Sequence, residues 1–508
     1  MSVEAQNNQA SNVSQVIMTS TLTTRQITTV NAAGIATFTP TTGNTTLPVS
    51  LLGVYTGGSG GNGNINNPGT YTTANTSALV SAFNTNIALA LSVTPVESPT
   101  SGVILRKDPI TGAELPVSST LGPIFTKRAE TIGKGKFYIG LTHQSYHFTS
   151  FNGQNLNGTT VVYGGGDTSG LTAQGAAASG GNAAKTLPAT LNLGLDVRLS
   201  QDVAFLTYGI TNRFDVSVGL SMVHSSVAST AYNGIIYSGT GLGNGPGSNC
   251  WCVNTFTPGS FSLTAPTIGS ASMGKTGFGD TIVRAKGLIY EKANVVVAAG
   301  VDLRLPSGDA GNFLGTGATS VKPFMAVSLY TNPLPHGIVL APHFDIGYQY
   351  SGSSVLAGLQ QGTPASATLN GQSVNYLTYP FQTTSGKLPD IFSWAAGTEV
   401  ALNRYNTVLV DFLGNEIGLV NGVPSVSPFT LNNVVPPTSA GSAGAPVTVK
   451  GLFADGSRTS FGQYSGAFGY KVRIKGNLVA TFQALVRFDH NGLRAGFTPL
   501  YGLGYSFE

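Results

Sequence analysis

A regular alternation of apolar and polar residues runs through the last three-quarters of this chain. Between Val295 and Leu305 every odd position is apolar, whereas Asp302 and Arg304 occupy even positions. The same pattern recurs from Leu478 to Asp489 and up to the C-terminus. A period of two residues indicates β-strands with one apolar face. About twelve such stretches predict an all-β protein, but the alternation leaves open whether the apolar faces meet a protein core or lipid.

Loop lengths favour lipid. Tight turns, such as those at 211–213, 292–294 and 476–477, alternate with long connections rich in Gly, Ser, Thr and Asn. Outer-membrane barrels combine short periplasmic turns with long extracellular loops and an even number of strands. We therefore predict a closed, antiparallel, up-and-down transmembrane β-barrel of about 12 strands, within a range of roughly 10 to 14, in the cell outer membrane. The predicted strands lie near residues 136–149, 191–209, 214–231, 278–291, 295–306, 319–331, 337–351, 390–402, 406–419, 460–475, 478–489 and 496–508.

The composition excludes several other classes. The 508 residues include 25 basic and 21 acidic residues, so 9% are charged, against about 25% in soluble globular proteins. The longest apolar runs fall short of the roughly 18 residues that a membrane-spanning helix needs. A net charge of +4 without a basic, aromatic-interleaved strip predicts no nucleic-acid partner.

Residues 1–130 have a different pattern and are predicted to form a separate N-terminal segment, with the barrel at 131–508. Weak strand candidates lie at 22–30 and 35–38, and the prolines of 98–125 predict irregular chain. A short helix is predicted to begin at Asn75, Thr76 or Ser77 and to end before Pro95. Its apolar residues at helical spacing are Leu79, Val80, Phe83, Ile87, Ala90 and Leu91.

The location of this N-terminal segment stays open between a plug in the lumen, a periplasmic extension and disorder. We expect residues 1–125 to restrict the pore, because the chain enters the first strand from the periplasmic side. Residues 1–20 show no basic and apolar leader, so a signal peptide is expected to have been removed or missed at the start codon.

Catalytic motifs are scarce, and we predict neither an enzyme nor a cofactor or metal site. His343 with Asp345, or His490 with Asp489, could act as a general-base pair, but such pairs are more often hydrogen bonds in a lumen. Cys250 and Cys252 could form a strained disulfide, bind a soft metal or have no chemistry, and the sequence leaves their bonding open.

Charged residues sort almost completely onto the parity opposite the apolar one. If the apolar parity faces lipid, these charges face the lumen, where they would either fill the interior as ion pairs or select solutes. A turn at 292–294 would place Arg284 opposite Asp302. In the strand near 406–419, Asp411 and Glu416 take opposite parities, which predicts a bulge or an early strand end. The candidate lumen and solute contacts are Asp280, Arg284, Lys286, Asp302, Arg304, Lys471, Arg473 and Arg487, and further inward charges are predicted at Asp196, Arg198, Asp202, His343, Asp345, Lys475 and Asp489.

Several motifs resemble those of a known family. They lie at 277–280 (Gly-Phe-Gly-Asp), 284–286 (Arg-Ala-Lys), 301–309 and 314–317, and a further stretch at 121–137 is similar to an entry into a first strand. Together they resemble the bacterial outer-membrane family named for the meta-pathway of phenol degradation, which is similar to the hydrophobic-compound and long-chain fatty-acid transporters. The resemblance implies a barrel and passage of small apolar or aromatic compounds. One departure is Glu508 after Phe507, because such proteins usually end in an aromatic residue.

Two functional hypotheses follow. The first is an outer-membrane channel or transporter for passive passage of small, hydrophobic or aromatic molecules. The second is a structural or surface-interaction barrel with a closed lumen, whose large loops bind a partner. The expected partners are the outer-membrane lipid bilayer and a small-molecule solute, and a homo-oligomer is left open.

Overall fold

The computed structural model describes most of the barrel and parts of the N-terminal segment. The described residues are 10–25, 27–30, 36–38, 47–50, 69–93, 105–107, 114–116, 121, 125–163, 189–238, 251–255, 267–292, 294–331, 334–335, 338–369, 372–421, 425–435, 445–453 and 458–507. Cys250 lies outside this set, so the predicted alternatives for Cys250 and Cys252 are not tested.

The main sheet closes into a barrel, which confirms the predicted fold class and strand number. Neighbouring strands pair antiparallel in chain order, and the last strand returns to the first, with Phe507 opposite Phe137. Two positions around the barrel are each shared by two consecutive strands, β4 with β5 and β13 with β14, so fourteen strands make twelve positions. The strands are β1 Phe137–Phe151, β2 Ala189–Thr211, β3 Phe214–Ser238, β4 Thr267–Phe278, β5 Thr281–Lys292, β6 Val295–Leu305, β7 Ser320–Leu329, β8 Val339–Ser351, β9 Ile391–Asn403, β10 Asn406–Asn421, β11 Arg458–Lys475, β12 Leu478–Arg487, β13 Leu493–Ala495 and β14 Phe497–Phe507.

Shorter elements precede the barrel or extend its long connections. Among the described residues, single turns of 3-10 helix lie at Val13–Gln15, Ala310–Asn312 and Val355–Ala357. The predicted weak strands near 22–30 and 35–38 are present. The short strands are Leu22–Arg25, Ile27–Val30, Ala36–Phe38, Leu47–Ser50, Leu105–Lys107, Glu114–Pro116, Gln154–Asn155, Asn157–Tyr163, Trp251–Thr255, Ser353–Ser354, Gln360–Leu369, Gln372–Thr383, Gly386–Lys387, Ser425–Val435 and Ala445–Phe453.

The described part of the N-terminal segment contains two α-helices. Helix α1 (Val16–Thr21) is absent from the sequence prediction, since six residues are too few to show a helical period. Helix α2 (Gly69–Val93) ends before Pro95 as predicted but begins well before Asn75. Pro68 immediately precedes it and no proline follows until Pro95, so no residue in between lacks the N–H that a helix requires. In the described part of the chain, no helix is long and apolar enough to span a membrane.

A belt of exposed apolar side chains surrounds the barrel, as the alternation predicts. On β6, Val301 is exposed on the outside while Asp302 on the other parity is partly buried within. Such a belt is a lipid contact, because a soluble barrel would not expose it to water. The barrel therefore lies in the outer membrane. Belt residues with close to half or more of their surface exposed include Leu141, Phe412, Phe468, Phe482, Tyr501 and Leu503.

The upper half of β2 reverses the predicted orientation. The side chains of Asp196, Arg198 and Asp202, which were predicted to face the lumen, lie on the outside and are exposed. The alternate residues Leu195 and Val197 are buried inside the barrel instead. The prediction was wrong because these apolar residues pack against α1 and α2 rather than against lipid. Outside, Asp196 pairs with His147 at 3.2 Å and Asp202 pairs with His143 at 2.7 Å.

The bulge or early strand end predicted near Asp411 and Glu416 is also absent. Strand β10 pairs with β9 without interruption between Asp411 and Glu416, and the irregularities of its two ladders lie on either side, opposite Leu402 toward β9 and after Ile417 toward β11. Asp411 faces inward and is buried, whereas Glu416 faces outward and accepts a 2.5 Å hydrogen bond from the Tyr464 hydroxyl. The outward position of Glu416 is tolerated because it lies near the extracellular end of the strand and is hydrogen-bonded to Tyr464.

Candidate lumen site

Residues 125–133, which we call the strap, run along the inner wall of the barrel. The backbone N–H of Phe125 and the hydroxyl of Thr126 both donate to Asp411 on β10, at 3.3 and 3.1 Å. Lys127 donates to Asp345 on β8 through its backbone N–H at 2.9 Å and through Nζ at 3.1 Å. The strap thus contacts successive wall positions as the chain approaches β1.

The second half of the strap continues around the wall toward the periplasmic turns. Lys286 Nζ on β5 donates to the backbone oxygens of Arg128 and Glu130 at 3.0 and 2.6 Å. The Glu130 carboxylate accepts from Tyr330 at 2.5 Å, and Thr131 donates to the carbonyl of Asn212 in the β2–β3 turn at 2.7 Å. The strap therefore descends along half the barrel from β10 to the β2–β3 turn.

Two charged residues of the strap are fully buried. Arg128 and Glu130 have no exposed side-chain surface and lie 3.3 Å apart. Burial lowers the pKa of Arg128, but Tyr330, Glu130 and Glu399 raise it by more, so the net pKa lies above its ordinary value. Arg128 therefore stays charged, and its ion pair with Glu130 depends on the strap remaining in this dry position.

Helix α2 packs against two opposite walls of the lumen. Phe83 stacks on Phe151 of β1, with ring centroids 4.4 Å apart, in the large core that also holds the inward residues of β2. On its other side, Leu89 packs with Ile391 of β9 and Ile417 of β10. Residues 80–93 of α2 are buried or half-buried on every face, and a helix buried in this way contacts protein on every side. This part of α2 therefore lies between two walls of the barrel.

The predicted pair Arg284 and Asp302 forms as the register requires. The two residues are opposite each other on β5 and β6. Arg284 donates to both carboxylate oxygens, at 2.6 and 2.9 Å, and this bidentate geometry is the strongest form of such an ion pair. Arg284 also lies over the Phe324 ring at 5.4 Å, beside Lys127 at 4.8 Å.

Asp280 holds the β6–β7 connection against the wall. It lies between β4 and β5, where the ladder to β3 is interrupted. Its carboxylate accepts from the N–H and hydroxyl of Thr316 at 2.8 and 2.7 Å and from the N–H of Gly308 at 3.3 Å. Arg304 reaches the same carboxylate at 3.9 Å. Asp280 is therefore a structural ligand of this connection, and little of its surface is left for a solute.

The other predicted site residues lie at different levels of the barrel. Lys286 and Lys471 are fully buried inside, and Lys286 also lies 3.7 Å from Asp215. Arg473 is at the periplasmic rim, where it donates to Gly476 and, at 3.1 Å, to Asn477 of the β11–β12 turn. Arg487 is near the extracellular end and donates to Ser150 of β1.

The two candidate general-base pairs have other partners. His343 binds Glu399 at 2.7 Å and Ser328 at 3.0 Å, while Asp345 binds Lys127. Asp489 binds Arg494 at 3.1 Å. Among the described residues, no group of three His, Cys, Asp or Glu side chains could hold a metal ion.

A cavity of about 110 Å³ lies between the inward charges Arg284, Asp302 and Arg304 and the C-terminal end of helix α2. A second cavity of about 60 Å³ lies beyond it, and Val93, Leu413 and Asn415 line both. Four predicted contacts line these cavities: Arg284, Asp302 and Arg304 at the first and Arg487 at the second. The first is lined by Ser92, Val93, Phe125, Lys127, Ile282, Arg284, Asp302, Arg304, Ser320, Lys322, Asp345, Gln349, Ile391, Ser393, Trp394, Ala395, Leu413 and Asn415.

Sequence reasoning missed Lys127 and Lys322 in this lining. Lys322 lies on the inward parity of β7 between Ser320 and Phe324, so the alternation rule could have found it. Lys127 belongs to the irregular chain before β1, and no period there predicts which way its side chain points.

A closed barrel with an apolar belt and a charged interior defines a transmembrane β-barrel of the outer-membrane class. No family model and no curated protein matches the chain, so membership of the phenol meta-pathway family stays a prediction. Solved structures do match. An outer membrane channel from Pseudomonas putida F1 shares 10% identity over 75% of this chain and 98% of its own, with a TM-score of 0.37.

Two further structures have similarly low identity. The TodX monoaromatic hydrocarbon channel, a mutant form, shares 8% identity over 75% of this chain and 93% of its own, with a TM-score of 0.31. A FadL homologue from Pseudomonas aeruginosa shares 8% identity over 81% and 97%, with a TM-score of 0.27. These values are too low to transfer a substrate, so function is argued from this chain's own residues.

The belt makes a direct prediction about stability in a bilayer. Leu503→Arg places a cation on the outer face of β14, where half of the leucine is exposed, and is expected to cost about 2 to 4 kcal/mol of unfolding free energy. Urea unfolding in phospholipid vesicles measures this. Ser145→Arg is the matched control, because Ser145 lies on the outer parity of β1 between His143 and His147 and should cost far less. Equal losses in the two variants would contradict the position of the belt.

Proposed function

We propose that the protein is an outer-membrane channel for the passive passage of small, hydrophobic or aromatic molecules. The observation that supports this most is the cavity of about 110 Å³, in which apolar side chains from α2, β9 and β10 face charged side chains from β5, β6 and β7. Solute sites combine an apolar lining with a few placed polar groups in this way. The predicted contacts Arg284, Asp302 and Arg304 then meet the solute.

We infer further that residues 1–130 act as a plug in the barrel formed by 131–508. Helix α2 would offer the solute an apolar surface, and the strap would restrict the exit toward the periplasm. The buried ion pairs Lys127–Asp345 and Arg128–Glu130 support this role, because they would hold the strap closed until it moves. Passage then needs a rearrangement of the strap.

The small volume of the two cavities favours a second candidate function, a structural or surface-interaction barrel with a closed lumen. At about 110 and 60 Å³ they are below the roughly 300 Å³ of an ordinary ligand pocket. In this case the interior charges would serve stability alone, and the long loops would bind the partner.

Conductance in planar bilayers, together with uptake of a small aromatic compound into proteoliposomes, separates the two. A channel is expected to give uptake and at least brief current steps. Arg284→Ala leaves Asp302 without its cation and should shift the permeability ratio toward cations. Lys387→Ala, which removes an exposed pair with Asp390 outside the lumen, is the control and should leave the ratio unchanged. Absence of both current and uptake would favour the closed barrel.

A further inference from the structure

The wall of the larger cavity carries more positive than negative charge. Four cationic side chains and two carboxylates line it. Both carboxylates are already engaged, since Asp302 is held by Arg284 and Asp345 by Lys127. Two cations, Arg304 and Lys322, remain beyond these pairs.

Arg304 is weakly paired. Its closest carboxylate oxygen, on Asp280, is 3.9 Å away, and that carboxylate is occupied by the β6–β7 connection. Its hydrogen bond to the backbone oxygen of Ser92, at the end of α2, is long at 3.3 Å. The guanidinium of Arg304 therefore has further N–H donors that can bind a ligand in the cavity.

Lys322 has no hydrogen bond or ion pair with the residues that the structure describes. It sits opposite Asp302 on β6, and its stem passes over β8 at Gly347, where any added Cβ would lie 2.8 Å from Lys322 Cε. Gly347 therefore leaves the space through which the lysine reaches the cavity. Lys322 is partly buried inside the barrel, and a cation without a hydrogen-bonding partner there carries a desolvation cost, which a bound anion would offset.

The opposite side of the cavity has a different character. It is formed by Val93 of α2, Phe125 of the strap, Ile391 of β9 and Leu413 of β10, with neutral polar groups such as Asn415 between them. An anion bound at Lys322 would therefore have its remaining atoms among apolar side chains. A small, highly hydrated inorganic ion would leave this apolar side without contacts.

We propose that this cavity binds a small organic monocarboxylate with an aromatic or short aliphatic body, the carboxylate lying between Lys322 and Arg304 and the apolar body against Val93, Phe125, Ile391 and Leu413. This rests on the proposed channel function for its physiological meaning and names the solute class as an acid rather than a neutral hydrocarbon. The cavity volume of about 110 Å³ limits the body to roughly one ring.

Binding is tested on the purified full-length barrel in detergent by calorimetric titration with benzoate and with its neutral counterpart benzyl alcohol. Benzoate is expected to bind at least about tenfold more tightly than the alcohol. Lys322→Met should weaken benzoate binding by about tenfold or more and leave the alcohol unaffected. Lys322→Arg should retain the preference, and Lys475→Met, at the exposed β11–β12 turn, should behave as wild type.

The outcomes separate this inference from the channel function. Equal affinity for the two compounds, or unchanged benzoate binding in a folded Lys322→Met barrel, would overturn the proposed acid site even if uptake occurs. Benzoate binding that depends on Lys322, in a protein that shows no uptake, would support the site and refute the channel. Heat-modifiable electrophoretic mobility verifies that each variant is folded.

Discussion

Removing residues 1–133 while keeping every barrel strand is expected to convert the protein into a permanently open pore. The strap and both helices would then be gone from an interior that, in a barrel of twelve positions, is wider than side chains of the wall alone can fill. Asp345, Asp411 and Lys286 would lose their strap partners but become hydrated, so the barrel should still fold. Single-channel conductance should rise by about tenfold or more, and sensitivity to large antibiotics should rise with it.

A shorter deletion, of residues 1–120, is the matched control. It removes α1 and α2 but leaves the strap with its bonds to Asp411, Asp345 and Asn212. Conductance should therefore rise less than in the longer deletion. If both deletions conduct like the full chain, residues 1–133 do not restrict the pore and the plug is refuted. If the shorter deletion already opens it fully, the strap is not the restriction.

Phe83→Ala is expected to release α2 from the wall without unfolding the barrel. Both Phe83 and its stacking partner Phe151 are fully buried, and loss of a buried phenylalanine costs about 3 to 5 kcal/mol. The lost energy weakens the attachment of α2 to the barrel wall. The wall itself stays folded, because backbone hydrogen bonds between its strands hold it closed. Amide hydrogen exchange of residues 80–93 should accelerate by roughly 100-fold or more, while the amides of β5 to β8 keep their protection.

Phe482→Ala is the control for this change. Phe482 has half its surface exposed on the belt, so its loss weakens contacts with lipid rather than with α2. Exchange in 80–93 should stay at the wild-type rate. If Phe83→Ala also left that rate unchanged, α2 would be held mainly through Leu89 and its neighbours on the other wall.

The barrel could be predicted from the sequence because its strands obey one repeated rule. From β5 to β12 lipid lies on the outer side, so the apolar parity faces outward and pairs such as Arg284–Asp302 follow from register. On β2 the rule fails, since the helices inside the barrel supply a second apolar environment. Alternation reports which face is apolar, and it contains no information on which side the apolar partner lies.

The candidate site was predictable to the extent that it belongs to the wall. Asp280, Gly308 and Thr316 come from three of the motifs that carry the family resemblance, and they meet in one hydrogen-bonded cluster. Lys127 was out of reach, because its direction depends on the tertiary path of the strap. A sequence period arises only where a strand or helix packs against one continuous surface. The strap has no such period, because its successive residues contact different strands.

The charged outer face of β1 and β2 has a consequence for the surrounding lipid. His143 lies beside Tyr501 of β14 on one side and Asp202 of β2 on the other. On β14 the outward face continues above Tyr501 to Phe497, which is 58% exposed, whereas on β1 it continues with Ser145. The apolar belt is therefore shorter on β1 than on β14 by about four residues, or roughly 10 Å along the barrel axis. Because of this hydrophobic mismatch, the bilayer becomes thinner beside β1 and β2. The bilayer around this barrel therefore has an uneven hydrophobic thickness, which is smallest where the first two strands meet.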